Sequence, residues 1–218
     1  MVSNIDFDAE AVFLSEANKR KEKIAEFKNL LLKELMTLPK DNLVCCVKEI
    51  TEIMEKTIAW ALKLAGIAQR NIGPPQLKHI DDISFLKTAI FHSFFEGLYL
   101  SYVNVICLLL VRNGHDLYNT FTRKYCLELN DIEVLDSCTK LEFLKMHGFG
   151  IVVRNDDRQL RNKFAHLDYT IIDEDKIKVK GNIINLHERS NDLFAFVMAL
   201  NMLTAEALNL LRKQHTRH

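Results

Sequence analysis

Leu14, Ile24, Phe27, Leu30, Leu31 and Leu35 fall on or near one helical stripe, the recurrence of apolar side chains that marks an amphipathic α-helix. Pro39 with Asp41 closes that element and caps the next, and a second helix is predicted from about Leu43 to Gln69. Glycine is absent before Gly66 and the prolines are Pro39, Pro74 and Pro75, so little interrupts helix over this stretch. Gly73-Pro74-Pro75 forbids helix and predicts a long loop, after which Asp81 or Asp82 is a natural N-cap. A third helix is expected over about Ile83 to Arg112, ended by Asn113-Gly114, with shorter helices near 115–129 and 137–147. Gly148 and Gly150 bracket an irregular stretch that leads into the next helix.

The segment "LRNKFAHLDY", residues 160–169, carries two stripes. Leu160, Phe164 and Leu167 lie at i, i+4 and i+7 and should bury, whereas Arg158, Arg161, Asn162, Ala165 and His166 take the other side. The period then changes. Tyr169, Ile171, Ile177 and Val179 alternate with polar residues around Asp173-Glu174-Asp175, which predicts a β-hairpin. Helical patterning resumes to the C-terminus, capped by Ser190 or Asn191, with Leu193, Val197, Leu200, Ala205 and Leu208 inward. The pattern describes a mainly α protein: a helical bundle with a small β-hairpin after the 160–169 helix. Residues 1–218 are expected to form one domain, with 1–72 as an N-terminal helical extension.

Composition narrows the classes. Lys plus Arg and Asp plus Glu both number 29, so no global field attracts nucleic acid and any polyanion has to be held by a local cluster. Cys45, Cys46, Cys107, Cys126 and Cys138 are odd in number and sit mostly in apolar runs, which suits a reducing cytoplasm. The N-terminus lacks the apolar stretch of a secretory signal. Residues 89–111 are long enough to span a bilayer, but His92, Glu96 and Asn104 interrupt them, and a buried central helix is expected, with no membrane partner.

Arg161 and His166 would sit about 140° apart and about 7.5 Å along a helix axis, able to converge on a group held over Ala165. Asn162, one turn before His166, could orient the imidazole. A permanent guanidinium beside an imidazole suits a phosphodiester better than a carbonyl. Lone Arg and His residues on helices are more often solvated or structurally paired, and an R-x-x-x-x-H spacing is common by chance. No metal set is expected: His92 with Glu96, and His115 with Asp116, are neither a zinc nor a magnesium constellation.

"LRNKFAHLDYTI", followed by a short acidic hairpin and a final amphipathic helix, resembles the HEPN superfamily, helical bundles carrying an R-x(4–6)-H motif. Arg161, Asn162 and His166 match as R-N-x-x-A-H, and the likeness covers about the last two thirds of the chain. The resemblance implies a metal-independent, cofactor-free endoribonuclease working as a homodimer in defence or stress response, with an antitoxin or other regulatory protein as a further partner. Carried over, His166 draws the proton from a ribose 2′-hydroxyl and Arg161 stabilises the charged phosphate, giving a 2′,3′-cyclic phosphate. Arg154, Arg158, Lys163 and Tyr169 would contact the RNA. In toxin-type members a tyrosine sits two residues after the histidine; here Asp168 holds that place and Tyr169 comes one later. The alternatives are a non-catalytic HEPN module binding nucleotide or RNA, and a helical interaction protein.

Overall fold

The computed structural model describes residues 15–71, 80–120 and 122–215. Its elements are α1 (residues 15–23), α2 (Glu26–Thr37), α3 (Lys40–Asn71), α4 (Ile80–Ser93), a π-helical turn (Phe94–Tyr99), α5 (Leu100–Arg112), β1 (Tyr118–Asn119), β2 (Lys124–Tyr125), α6 (Leu129–Glu133), α7 (Ser137–Met146), a 3₁₀ turn (Gly150–Val152), α8 (Asn155–Ala165), β3 (Thr170–Ile171), β4 (Lys176–Val179), β5 (Asn182–Asn185) and α9 (Leu186–His215). The mainly helical reading holds. Leu14 of the first stripe and the Gly73-Pro74-Pro75 loop lie outside the described residues.

The chain divides into two compact units: Met1–Val47, Val103–Val153 and Phe194–His218 make one, Lys48–Tyr102 and Arg154–Leu193 the other. In the first, Phe27, Leu31 and Leu35 bury one face of α2, and Phe27 meets Phe149 edge-on at 6.3 Å. Cys107, Leu108, Leu109 and Leu110 are fully buried, and burial pushes the Cys107 thiol up to about 12, as expected of a cysteine that packs as a hydrophobe. The expected single N-terminal helix is broken by a turn at residues 24–25. Its far end does stop before Pro39: Leu38 is extended, the conformation a following proline imposes.

The helix expected at 115–129 is instead the β1–β2 hairpin followed by α6. Tyr118 and Tyr125 face each other in register with ring centroids 5.1 Å apart, and Asn119 Oδ1 accepts the Thr122 N–H at 3.0 Å to shape the turn. Aromatic and β-branched residues over 118–125 favour this pleated pairing over helix. α6 opens with a capping box between Glu128 and Asp131, and α7 with Asp136 accepting the Thr139 N–H.

In the second unit, α8 packs on α4 and on the π turn. Phe164 meets Phe91 edge-on at 5.4 Å, and Phe91, Phe95, Tyr99 and Leu160 are buried beside it. The predicted hairpin is present, with Ile171 opposite Ile177, but β5 adds a third antiparallel strand, in the order β3-β4-β5. Asp173 Oδ1 accepts the N–H groups of Asp175 and Lys176 at 2.9 and 2.7 Å and so makes the first turn. Lys87 of α4 holds that turn through Asp175 Oδ1 at 2.5 Å and Glu174 O at 3.0 Å.

α9 starts earlier than predicted. Its cap is Asn185, whose Oδ1 accepts the Glu188 N–H at 3.1 Å, while Ser190 is buried inside the helix. Leu193, Val197, Leu200 and Leu208 are buried as expected; Ala205 is half-buried. Two stretches, Ile83–Arg112 and Leu186–Gln214, are long and apolar enough to cross a membrane, but 78% and 61% of an apolar 18-residue segment within each is buried inside the protein. Core helices of water-soluble proteins pass the same test, so this is weak evidence for a span.

Candidate functional site

The site predicted from sequence lies on α8, and the helix is fixed at both ends. At its start the Arg154 N–H donates to the Tyr99 hydroxyl at 3.0 Å. Asp157, fully buried, forms ion pairs with Arg154 and with Arg189, the latter at 2.5 Å, and Arg154 Nη2 reaches Asp192 Oδ2 at 2.6 Å. Two arginines and two aspartates thereby close the N-terminal turn, where the helix dipole favours the carboxylates.

At the other end the helix stops one residue before the imidazole. His166 is the C-cap; Leu167, with φ +52°, takes the left-handed position. The Leu167 N–H donates to Phe164 O at 3.1 Å and the Asp168 N–H to Lys163 O at 2.9 Å, the paired bonds of a Schellman motif. The early stop corrects the predicted apolar stripe. Leu160 and Phe164 are buried, but Leu167 has left the helical phase and is 70% exposed.

Arg161 is half-buried and its Nε is ion-paired with Glu96 Oε1. Glu96 comes from the π turn, where widening of the helix rephases the residues after it so that Phe94, Phe95, Leu98 and Tyr99 are all buried. Arg161 Nη1 also donates to Asn162 Oδ1 at 3.0 Å. The Asn162 carbonyl oxygen is therefore directed to the guanidinium, not to the imidazole it was expected to orient. His166 is exposed, and its ring makes no hydrogen bond or ion pair with a described residue. A guanidinium has five N–H donors; Nε is enclosed in the ion pair with Glu96 without a hydrogen bond, one Nη1 N–H goes to Asn162, and three are left for an anion.

The four residues expected to contact RNA are dispersed. Arg154 is held in the carboxylate cluster at the N-terminal end of α8, its side chain 12% exposed. Arg158 is half-buried, with its Nε enclosed and lacking a hydrogen-bond acceptor among the described residues. Lys163 is ion-paired with Asp168, and Tyr169 packs edge-on against Phe164 at 5.4 Å. The Lys163 hydrogen bond, and then the charges of Lys163, Lys180 and His166, hold the Asp168 carboxyl below its ordinary range. Among the described residues, no three His, Cys, Asp or Glu side chains gather as a metal-binding set.

What sequence reasoning missed is the Glu96–Arg161 pair. Glu96 is legible only as a polar residue interrupting an apolar run, and its target lies on a helix far along the chain that only folding brings near. Comparison with protein families, curated proteins and solved structures finds no match for this chain.

Proposed function

We propose that the protein is a HEPN-type endoribonuclease, cytoplasmic and homodimeric, that cleaves RNA through its own 2′-hydroxyl. The observation that supports this is the arrangement on α8: a half-buried Arg161 anchored by Glu96 with donors to spare, and an exposed His166, unpaired among the described residues, at the same helix's end. His166 takes the proton from the 2′-hydroxyl, the oxygen attacks the adjacent phosphorus, and the 5′-oxygen leaves and takes up a proton. The products are a 2′,3′-cyclic phosphate and a 5′-hydroxyl end. Arg161 stabilises the charge that builds on the phosphate oxygens, held in position by the Glu96 carboxylate.

A second reading, a non-catalytic module that binds nucleotide, RNA or a protein partner, is favoured by one feature. Asn162 points to Arg161, so among the described residues nothing fixes the imidazole tautomer. Replacing His166 with Ala separates the two. Cleavage of single-stranded RNA is expected to fall by about 10²–10⁴-fold with the fold intact, and to be indifferent to EDTA in the wild type. Equal cleavage by the variant, or RNA retained by the wild type with no cyclic-phosphate product, rejects the nuclease.

A further inference from the structure

The central strand of the small sheet has an unusual outer face. Along β4 and into the turn, Ile177 and Val179 are buried while Lys176, Lys178 and Lys180 alternate outward. Exposed lysines are a common device on edge strands, where they discourage pairing with other chains. β4 is not an edge. It pairs with β3 on one side and β5 on the other, and β5 presents Ile183, 65% exposed, where an edge lysine would serve that purpose.

Lys176 Nζ lies 3.4 Å from Asp173 Oδ2, which offsets its charge. Lys178 and Lys180 make no ion pair within 4.0 Å of a described carboxylate. Lys180 is conspicuous on a second count. It occupies the first position of the two-residue turn between Val179 and Asn182, with φ +48°, and Gly181 comes next at φ +89°. That is the geometry of a type I′ turn, whose first position favours Asn, Asp or Gly; a lysine there is held against local preference. Lys178 pairs across the ladder with Thr170, four residues beyond His166, so β4 runs beside the strand that leaves the C-terminal end of α8.

We propose that the outward face of β4 is a track for single-stranded RNA, with Lys178 and Lys180 contacting successive phosphates and leading the strand to His166. This rests on the ribonuclease reading and extends it to substrate binding. With Lys178 on the strand and Lys180 in the turn, their Cα atoms are at most about 6.6–7.2 Å apart, close enough for the two long side chains to reach neighbouring phosphates. With equal numbers of acidic and basic residues in the chain, such binding requires a local cluster of cations, which Lys178 and Lys180 supply.

The test uses the full chain and a fluorescein-labelled oligouridylate with 2′-O-methyl riboses, which cannot be cleaved, so affinity is read apart from chemistry. By counterion release each lysine is worth about fivefold in affinity at ~0.1 M salt. The K178Q/K180N variant should bind about 25-fold more weakly, with a salt slope shallower by about 1.4. Asn suits the turn better than Lys, so K180N should melt no lower than wild type, and lost binding is then not lost folding. Unchanged affinity and slope overturn the track, as does a variant that loses binding only to phosphatidylserine vesicles. If the lysines matter for binding but natural RNA is bound and never cut, the nuclease reading fails and the track stands.

Discussion

Leu167 is a residue whose place contradicts its type. α5 and α7 end in the same paired-bond motif as α8, but with Gly114 at φ +88° and Gly148 at φ +86° in the left-handed position. At α8 that position holds a leucine, whose Cβ meets the following carbonyl at a cost of about 1–2 kcal/mol. Its side chain is 70% exposed, so little burial offsets this. Leu167→Gly should therefore stabilise the protein by about 0.5–1 kcal/mol, once the larger entropy of glycine in the unfolded chain is subtracted. A shift of the urea midpoint to higher concentration at constant m-value checks it; a lower midpoint means that the leucine makes a contact worth more than its strain. The same substitution explains a limit of sequence reading. Asn113-Gly114 announced the end of α5, whereas "AHLD" gives no glycine to announce the end of α8, so periodicity carried Leu167 one turn too far and placed it in the core.

Among elements, regular amphipathic helices were legible because burial period and chain period coincide: Phe27, Leu31 and Leu35, or Leu193, Val197 and Leu200, are core residues on pattern alone. The π turn was not, since a one-residue widening inside a continuous apolar run leaves no gap in hydrophobicity. β5 had a readable signal in Lys180-Gly181, obscured because Lys is an uncommon partner for glycine in that turn. The meeting of α5 and α7 ends lies beyond any local pattern and has a measurable consequence. The ring of His147, the cap of α7, lies 4.3 Å from that of His115, just past α5, at a tilt, and meets Phe143 edge-on at 4.5 Å. Burial, and then the charge on His115, lower the His147 pKa, with Glu34 opposing. The unfolded chain thus takes its proton first as pH falls below about 6.5, and stability drops from there down to the folded-state value. The fall in urea midpoint between pH 7.5 and 5.5 should be smaller in His147→Gln than in wild type; an equal fall would assign the acid sensitivity to other groups.

At the scale of the molecule, one copy supplies one Arg161 and one His166. The five-residue offset places them on different sides of α8, about 7.5 Å apart along its axis, which is too sparse to bind and activate a phosphodiester alone. Pairing two copies about a two-fold axis at this end of α8 would double both groups within one cleft, and the exposed Leu167 beside His166 offers apolar surface to cover. A formal net charge of zero puts no repulsion in the way at neutral pH. If the cleft is shared, Arg161→Ala and His166→Ala chains are each inactive alone, yet a mixed dimer keeps one guanidinium and one imidazole across the interface. Mixing the two purified variants, with time for subunits to exchange, should therefore restore RNA cleavage that neither shows alone, in parallel with a dimer mass by light scattering. A mixture that stays inactive although mixed dimers form would mean that each chain must use its own Arg161 with its own His166, and the shared cleft would have to be abandoned. Activity in a strictly monomeric wild type would remove the need for pairing altogether.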